Sequence, residues 1–198
     1  MPFVVERFAT LKAERNYPME HKSDPKLKKL VYSALFLALG LVLPFLTGQI
    51  PQIGKMLSPM HIPVLLCGFV CGWPYGAVVG FLTPLLRSML FGMPALYPMA
   101  VGMAFELAAY GIVSGWLYAR FPRKTPAAVY LTLVVAMLAG RVVWGLVSVV
   151  LYGIAGNAFT FRMFLAGAFL NAVPGIILHL VLIPPIVIAL EKSRRSRS

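Results

Sequence analysis

Residues Met60–Tyr118 read MHIPVLLCGFVCGWPYGAVVGFLTPLLRSMLFGMPALYPMAVGMAFELAAYGIVSGWLY. In this nearly continuous apolar run, punctuated by Gly and Pro, Arg87 and Glu106 are the only full charges. A charged side chain at the centre of a bilayer costs about 2.5–3.5 kcal/mol on insertion scales, so ionisable groups at membrane depth usually face a partner, a cavity or a ligand. The stretch therefore reads as membrane-buried helices that enclose a polar site.

The rest of the chain agrees. It is 60% hydrophobic and 12% charged, with a mean hydropathy of +0.83, whereas soluble domains carry about 25% charged residues. Its 198 residues leave room for one domain of about six spans of roughly 20 residues each. Cys67 and Cys71 lie one helical turn apart in an apolar segment. Two cysteines cannot make a disulfide framework, and this pair reads as core packing in preference to a metal or redox site.

A net charge of +12 raises the question of nucleic acid, and the distribution answers it. Arg7, Lys12, Arg15, Lys22, Lys26, Lys28 and Lys29 precede the first apolar run, Arg120, Arg123 and Lys124 share one loop, and Lys192, Arg194, Arg195 and Arg197 end the chain. That is the positive-inside pattern of a membrane protein, with added attraction to anionic lipid headgroups. No nucleic-acid-binding motif accompanies it.

Six spans are expected: Leu30–Leu46, Met60–Gly72, Tyr75–Phe91, Pro98–Tyr118, Ala128–Tyr152 and Phe164–Leu190, with Gly92–Tyr97 as a turn. The fold class is thus an all-α integral membrane protein of six transmembrane helices with both termini cytoplasmic. Its parts are a basic N-terminal segment (1–28), a membrane domain (29–191) and a basic tail (192–198). Threading from a cytoplasmic start puts Arg120, Arg123 and Lys124 inside, while the outer loops carry only Lys55 and Arg162. In the N-terminal segment Val4, Phe8 and Leu11 have helical spacing, which suits either a short interfacial helix or a disordered tail; the segment lacks the features of a signal peptide.

Small residues recur at the spacing that lets membrane helices approach closely: Gly68, Gly72, Gly76 and Gly80, then Gly111 with Gly115, Ala136 with Gly140, and Gly167 with Gly175. Ala34 and Ala38 on the first span could form a flat patch for another protein. Counting about 1.5 Å per residue, Glu106 lies about 12 Å and Asn171 about 10 Å below the outer starts of their spans. Arg87 and His61 lie nearer the outer surface, Arg141 near mid-membrane, and His179 deeper. The candidate substrate-binding residues are therefore Glu106, Arg87, His61, Asn171 and Arg141, in a pocket beneath the outer loops Thr47–Ser58 and Gly92–Tyr97. Glu106 could instead pair with Arg87 or Arg141 only to hold helices together, although buried pairs are often no more stabilising than apolar packing. Asn171 suits helix contact as well as ligand contact. Trp144, three residues from Arg141, is placed to lie over its guanidinium.

Catalytic signatures are missing. Gly48–Lys55 has the look of a phosphate-binding loop, but five residues separate Gly48 from Gly54 and Met56 stands where Ser or Thr is required. The sequence offers no paired histidines at metal spacing and no nucleophile elbow. No catalytic residue, metal or cofactor is expected, and ATP hydrolysis, if transport is uphill, falls to another subunit.

Met60-His61-Ile62-Pro63-Val64 leading into Gly68, Gly72, Pro74, Gly76 and Gly80, then Thr83-Pro84-Leu85-Leu86-Arg87, Gly92-Met93-Pro94 and Phe105-Glu106-Leu107-Ala108-Ala109-Tyr110-Gly111, resembles the substrate-binding S component of energy-coupling factor (ECF) vitamin transporters. The likeness is strongest to the hydroxymethylpyrimidine and pyridoxine type, and the His-Ile-Pro start is also similar to pantothenate-type members. The resemblance implies an importer subunit in a prokaryotic plasma membrane, a vitamin-like ligand, one transmembrane coupling subunit and two ATPase subunits. It also implies that the S component tips over in the membrane to carry its site inward, and that Ala34 and Ala38 touch the coupling subunit. Glu106 would accept from an aminopyrimidine edge or a pyridinium N–H, and Arg87 would hold an oxygen; a pantothenate carboxylate would use the arginines instead. The rival readings are a stand-alone secondary transporter, which usually shows internal repeats and broken helices, and a membrane scaffold protein.

Overall fold

The first helix begins where the sequence caps it. Asp24 Oδ1 accepts the backbone N–H of Lys26 at 2.9 Å and Pro25 occupies the first turn, where its missing N–H costs nothing. In this computed structural model, which describes residues 24–47 and 57–195, helix α1 therefore spans Pro25–Val42 and continues as a 3-10 turn, Leu43–Thr47. It starts five residues before the expected Leu30, so Lys26, Lys28 and Lys29 are helical and exposed. Val4, Phe8, Leu11 and the Gly48–Lys55 motif lie outside the described residues, as does most of the expected loop Thr47–Ser58.

Five further segments follow: α2 (His61–Cys71), α3 (Trp73–Phe91), α4 (Val101–Arg120), α5 (Pro126–Ile154), and a sixth in two pieces, α6 (Phe161–Leu165) and α7 (Val173–Arg195). Among the described residues five segments are long and apolar enough to cross a membrane, and α2 is a shorter apolar helix. Its 11 residues reach only about 16 Å. Gly72 alone separates α2 from α3, and its φ of +95° is a conformation that residues with a Cβ rarely adopt.

Two expected continuities fail for identifiable backbone reasons. The fourth segment is entered through a π-helical turn, Leu96–Ala100, with Tyr97 extended and the Ala100 N–H bonded to the Ala95 carbonyl at 2.9 Å. The sixth segment, expected as one helix, passes through a second π turn, Ala166–Leu170, and breaks at Asn171 and Ala172 before α7. Pro174 has no N–H to return to Leu170, so the Asn171 N–H reaches back to Ala166 at 2.9 Å and the Ala172 N–H to Phe169 at 3.1 Å.

The helices assemble around α2 and α4. Almost all of α2 is buried, enclosed by α1, α3, α4 and α7, while α4 lies against α2, α3 and α5. The closest approach is between α3 and α4: a Cβ added to Gly76 would lie 2.9 Å from Gly111 Cα and 2.9 Å from Gly68 Cα, distances that real Cβ contacts do not reach. Gly80 faces the Leu107 backbone and Gly115 the Trp73 backbone in the same manner. Cys67 and Cys71 are buried and form no disulfide among the described residues, with Cys67 Sγ 3.7 Å from Ser33 Oγ, which is the packing role expected of them. At the far end of α4, about 21 Å from Glu106 by helical rise, the Arg120 guanidinium lies 3.8 Å from the Trp116 ring centroid. Lys124 Nζ donates to the Tyr118 carbonyl, covering the negative end of the helix; burial lowers its pKa, with Glu191 opposing the shift.

Introducing a β-branched side chain at the α3–α4 contact should therefore break the bundle. Overpacking typically costs about 1–3 kcal/mol, so Gly111→Ile is expected to lower the melting temperature in detergent sharply. Gly153→Ala, at a position with nothing within 4 Å, should leave it unchanged. A Gly111→Ile protein that melts like wild type would show that this contact does not hold the helices.

Candidate functional site

The glycine contact fixes α4 beside α2 and α5, and this places Glu106 where three helices converge. Its Oε1 lies 3.0 Å from Arg141 Nη1 on α5 and accepts the Tyr110 hydroxyl at 2.8 Å. Tyr110 is one helical turn along α4, and its ring fills the place that a Cβ on Gly140 of α5 would occupy. A larger residue at position 140 would expel it. From α2, His61 Nε2 stands 3.7 Å from the same carboxylate oxygen, beyond hydrogen-bond reach. His61 also lies against the Tyr110 ring, with centroids 5.3 Å apart.

The fourth contribution comes from α7. His179 stacks on His61, with centroids 5.8 Å apart and planes inclined by 24°. The five residues of this cluster, Glu106, Arg141, Tyr110, His61 and His179, are each no more than 8% exposed. Yet its hydrogen-bonding capacity is only part used: both ring nitrogens of His61, both of His179 and Arg141 Nε make no hydrogen bond of normal geometry. The His179 ring faces the Ser58 backbone. Leaving buried donors and acceptors unmade costs about 1–3 kcal/mol each, so the cluster has polar capacity to offer a bound molecule.

One turn from Arg141, an aromatic wall rises. The Trp144 ring meets Phe159 edge to face at 5.7 Å and stacks on Phe164 at 6.3 Å. It sits 3.6 Å from the Cβ that Gly102 lacks, one turn before Glu106. Trp144 thus lies with Phe159, before α6, and Phe164, within it, instead of over the Arg141 guanidinium as expected.

Of the five residues picked from the sequence, the structure brings together His61, Glu106 and Arg141. Arg87 is held elsewhere: it donates to the Leu41 carbonyl and lies 4.9 Å from the Phe45 and 5.5 Å from the Phe91 ring centroids. A local backbone deficit accounts for this. Pro44 has no N–H for the end of α1, and Arg87 supplies a donor there. Asn171 is exposed in the break of the sixth segment. Ala34 and Ala38 are both exposed on α1. Tyr110 and His179 were not selected from the sequence. Tyr110 could have been found from its one-turn spacing to Glu106. His179 could not, because the break that spends residues 166–172 without regular rise invalidates a depth counted along a continuous helix. Among the described residues no group of His, Cys, Asp and Glu is placed to hold a metal ion.

The sequence model of the family described as ECF transporter, substrate-specific component, matches residues 28–187. No curated protein and no solved structure gives a significant match. The match covers most of the helical body and every residue of the buried cluster. The chain belongs to the ECF transporter substrate-specific components, and is a multi-pass plasma-membrane subunit that works with a substrate and an energy-coupling module and has no catalytic activity of its own.

Proposed function

We propose that Glu106, Arg141 and His61, with Tyr110 and His179, bind a small water-soluble vitamin or precursor, and that the ligand is a hydroxymethylpyrimidine- or pyridoxine-like heteroaromatic. One observation carries this reading: a buried carboxylate is surrounded by ring and guanidinium nitrogens that have no hydrogen-bond partner. Such a lining suits a flat molecule with donors and acceptors around its edge. An amine or pyridinium N–H would donate to Glu106, a ring nitrogen or hydroxyl oxygen would accept from Arg141 Nε and His61, and the Trp144 wall offers a face for the ring. A pantothenate-like carboxylate is less well served, since Arg87 is engaged at Leu41 and Arg141 is already paired with Glu106.

The termini and the Arg120–Lys124 loop are assigned to the cytoplasm on the charge distribution. The coupling module is taken to comprise one transmembrane subunit and two ATPase subunits, with Ala34 and Ala38 facing the former. The purified chain should hydrolyse no ATP, and native mass spectrometry should release a vitamin-sized molecule from it. ATP hydrolysis by the clean subunit would overturn the assignment.

Glu106→Gln tests the site. Hydrogen bonds to charged groups contribute about 1.5–3 kcal/mol, so affinity for pyridoxine or hydroxymethylpyrimidine should fall about tenfold to a hundredfold. Stranding Arg141 should also cost about 3–5 kcal/mol of stability. The double variant Glu106→Gln/Arg141→Met removes both charges and should regain much of that stability without regaining binding. Wild-type affinity in the double variant would reduce the pair to a helix fastener.

Trp at positions 34 and 38 tests the partner face. Because both alanines are exposed and lie on the opposite side of α1 from the buried Ser33, Phe36 and Gly40, the Ala34→Trp/Ala38→Trp protein should bind ligand as wild type does but fail to co-purify with the coupling subunit. Normal assembly would place the interface on another helix.

A further inference from the structure

At the end of the bundle remote from Glu106, a crevice of about 170 Å³ opens between the last turn of α4, the loop after it and the last turns of α7. One water needs only about 10–15 Å³ by the same kind of measure, so a molecule of several polar atoms fits. Tyr118 and Ile188 supply the apolar lining, and Lys124, Glu191 and Lys192 the charges. The wall on the α4 side is braced from within. Phe69 of α2 meets the buried Tyr118 ring edge to face at 5.0 Å, and Lys124 Nζ lies 4.1 Å from the centroid of that ring while donating to the Tyr118 carbonyl. Glu191 and Lys192 stand on α7 one turn beyond Ile188, and so share its face.

The charges do not cancel. An ammonium group has three N–H donors, so Lys124 keeps two after the Tyr118 carbonyl has taken one. Glu191 is near enough to oppose the effect of burial on Lys124, yet among the described residues no ion pair closes across the crevice. Two cations against one carboxylate leave the lining with a single positive charge in excess, and the exposed Arg120 and Arg123 add to the positive field at this end of the molecule. The apolar side continues along α7, where Val181, Pro185 and Ile188 are exposed and recur at the spacing of one helical face. A group held by the lysines therefore lies directly beside a stripe that meets lipid.

We propose that this crevice binds the head of an anionic membrane phospholipid, with its phosphodiester oxygens taken by Lys124 and Lys192 and its acyl chains running past Ile188. One negative charge matches the one positive charge in excess, whereas a zwitterionic head would bring a cation of its own. A head bound in this way ties the loop after α4 to the end of α7. The site is separate from the Glu106 cluster, and its occupancy does not depend on the vitamin.

The test is native mass spectrometry of the full-length protein from micelles doped with equal amounts of phosphatidylglycerol and phosphatidylcholine, beside thermal melting. A basic residue near the membrane surface is worth about fivefold in affinity for an anionic lipid, so wild type should retain phosphatidylglycerol at least about fivefold over phosphatidylcholine. Lys192→Gln should cut that retention about fivefold while melting as wild type does in lipid-free detergent. Lys124→Gln should cut it as far but also melt lower, because it gives up the Tyr118 carbonyl. Arg123→Gln removes the same charge from the same loop, outside the lining, and should leave retention nearly unchanged. Equal losses in Arg123→Gln and Lys192→Gln would reduce the effect to diffuse surface charge and overturn the site, as would equal retention of the two lipids by wild type. Glu191→Gln removes the opposing carboxylate and should raise retention of phosphatidylglycerol; a fall would make Glu191 the partner of a lipid amine and refute the choice of an anionic head. Inorganic phosphate that protects against melting as well as phosphatidylglycerol does would make the occupant a free anion and refute the lipid assignment.

Discussion

The backbone contact between α3 and α4 at Gly76 and Gly111 is the constraint on which the rest of the molecule depends. Inside hydrocarbon no hydrophobic effect draws helices together, so their association relies on close packing. With no Cβ on either side, α4 comes close enough to α3 and α2 to become the hub of the bundle. That position turns Glu106 and Tyr110 toward α2 and α5, away from lipid. The glycine stripe and the polar cluster are thus two sides of one helix.

Charge at this depth obeys a second constraint. The Glu106 carboxylate is neutralised by Arg141 and takes the Tyr110 hydroxyl, but the surrounding nitrogens of His61 and His179 and Arg141 Nε make no hydrogen bond of normal geometry. A cluster built solely to join helices would gain by completing those bonds, since partly satisfied buried networks are costly. Arg87 shows the contrast: its guanidinium is spent on the Leu41 carbonyl and on two phenyl rings. Two buried arginines of the same chain therefore do different work, one finishing a helix end and the other pairing with Glu106 in the buried polar cluster.

Much of this was legible in the sequence. The apolar runs marked all six segments, because spans must be both long and continuous to satisfy their backbone without water, and the four-residue glycine spacing marked the close contacts. His61, Glu106 and Arg141 stood out because polar residues are rare in such segments. The breaks did not stand out. Leu96–Ala100 and Ala166–Leu170 are as apolar as the helices they interrupt, and the signal lies in which N–H groups Pro98 and Pro174 fail to supply. Without the second break, His179 appeared too deep to meet His61. Arg87 was misleading for the related reason that its partner is a backbone carbonyl, which hydropathy does not register.

The length of α5 has a consequence for the surrounding lipid. Its 29 residues measure about 43 Å, against a hydrocarbon thickness of about 30 Å, while the 18 residues of α1 measure about 27 Å. The bilayer therefore meets a girdle of uneven height, and α5 must tilt or protrude where α1 fits. Mismatch costs fractions of a kcal/mol per ångström, so membrane thickness bears unequally on the two sides of the protein and exerts a turning moment on it, which thicker or thinner lipids would change without touching a single residue.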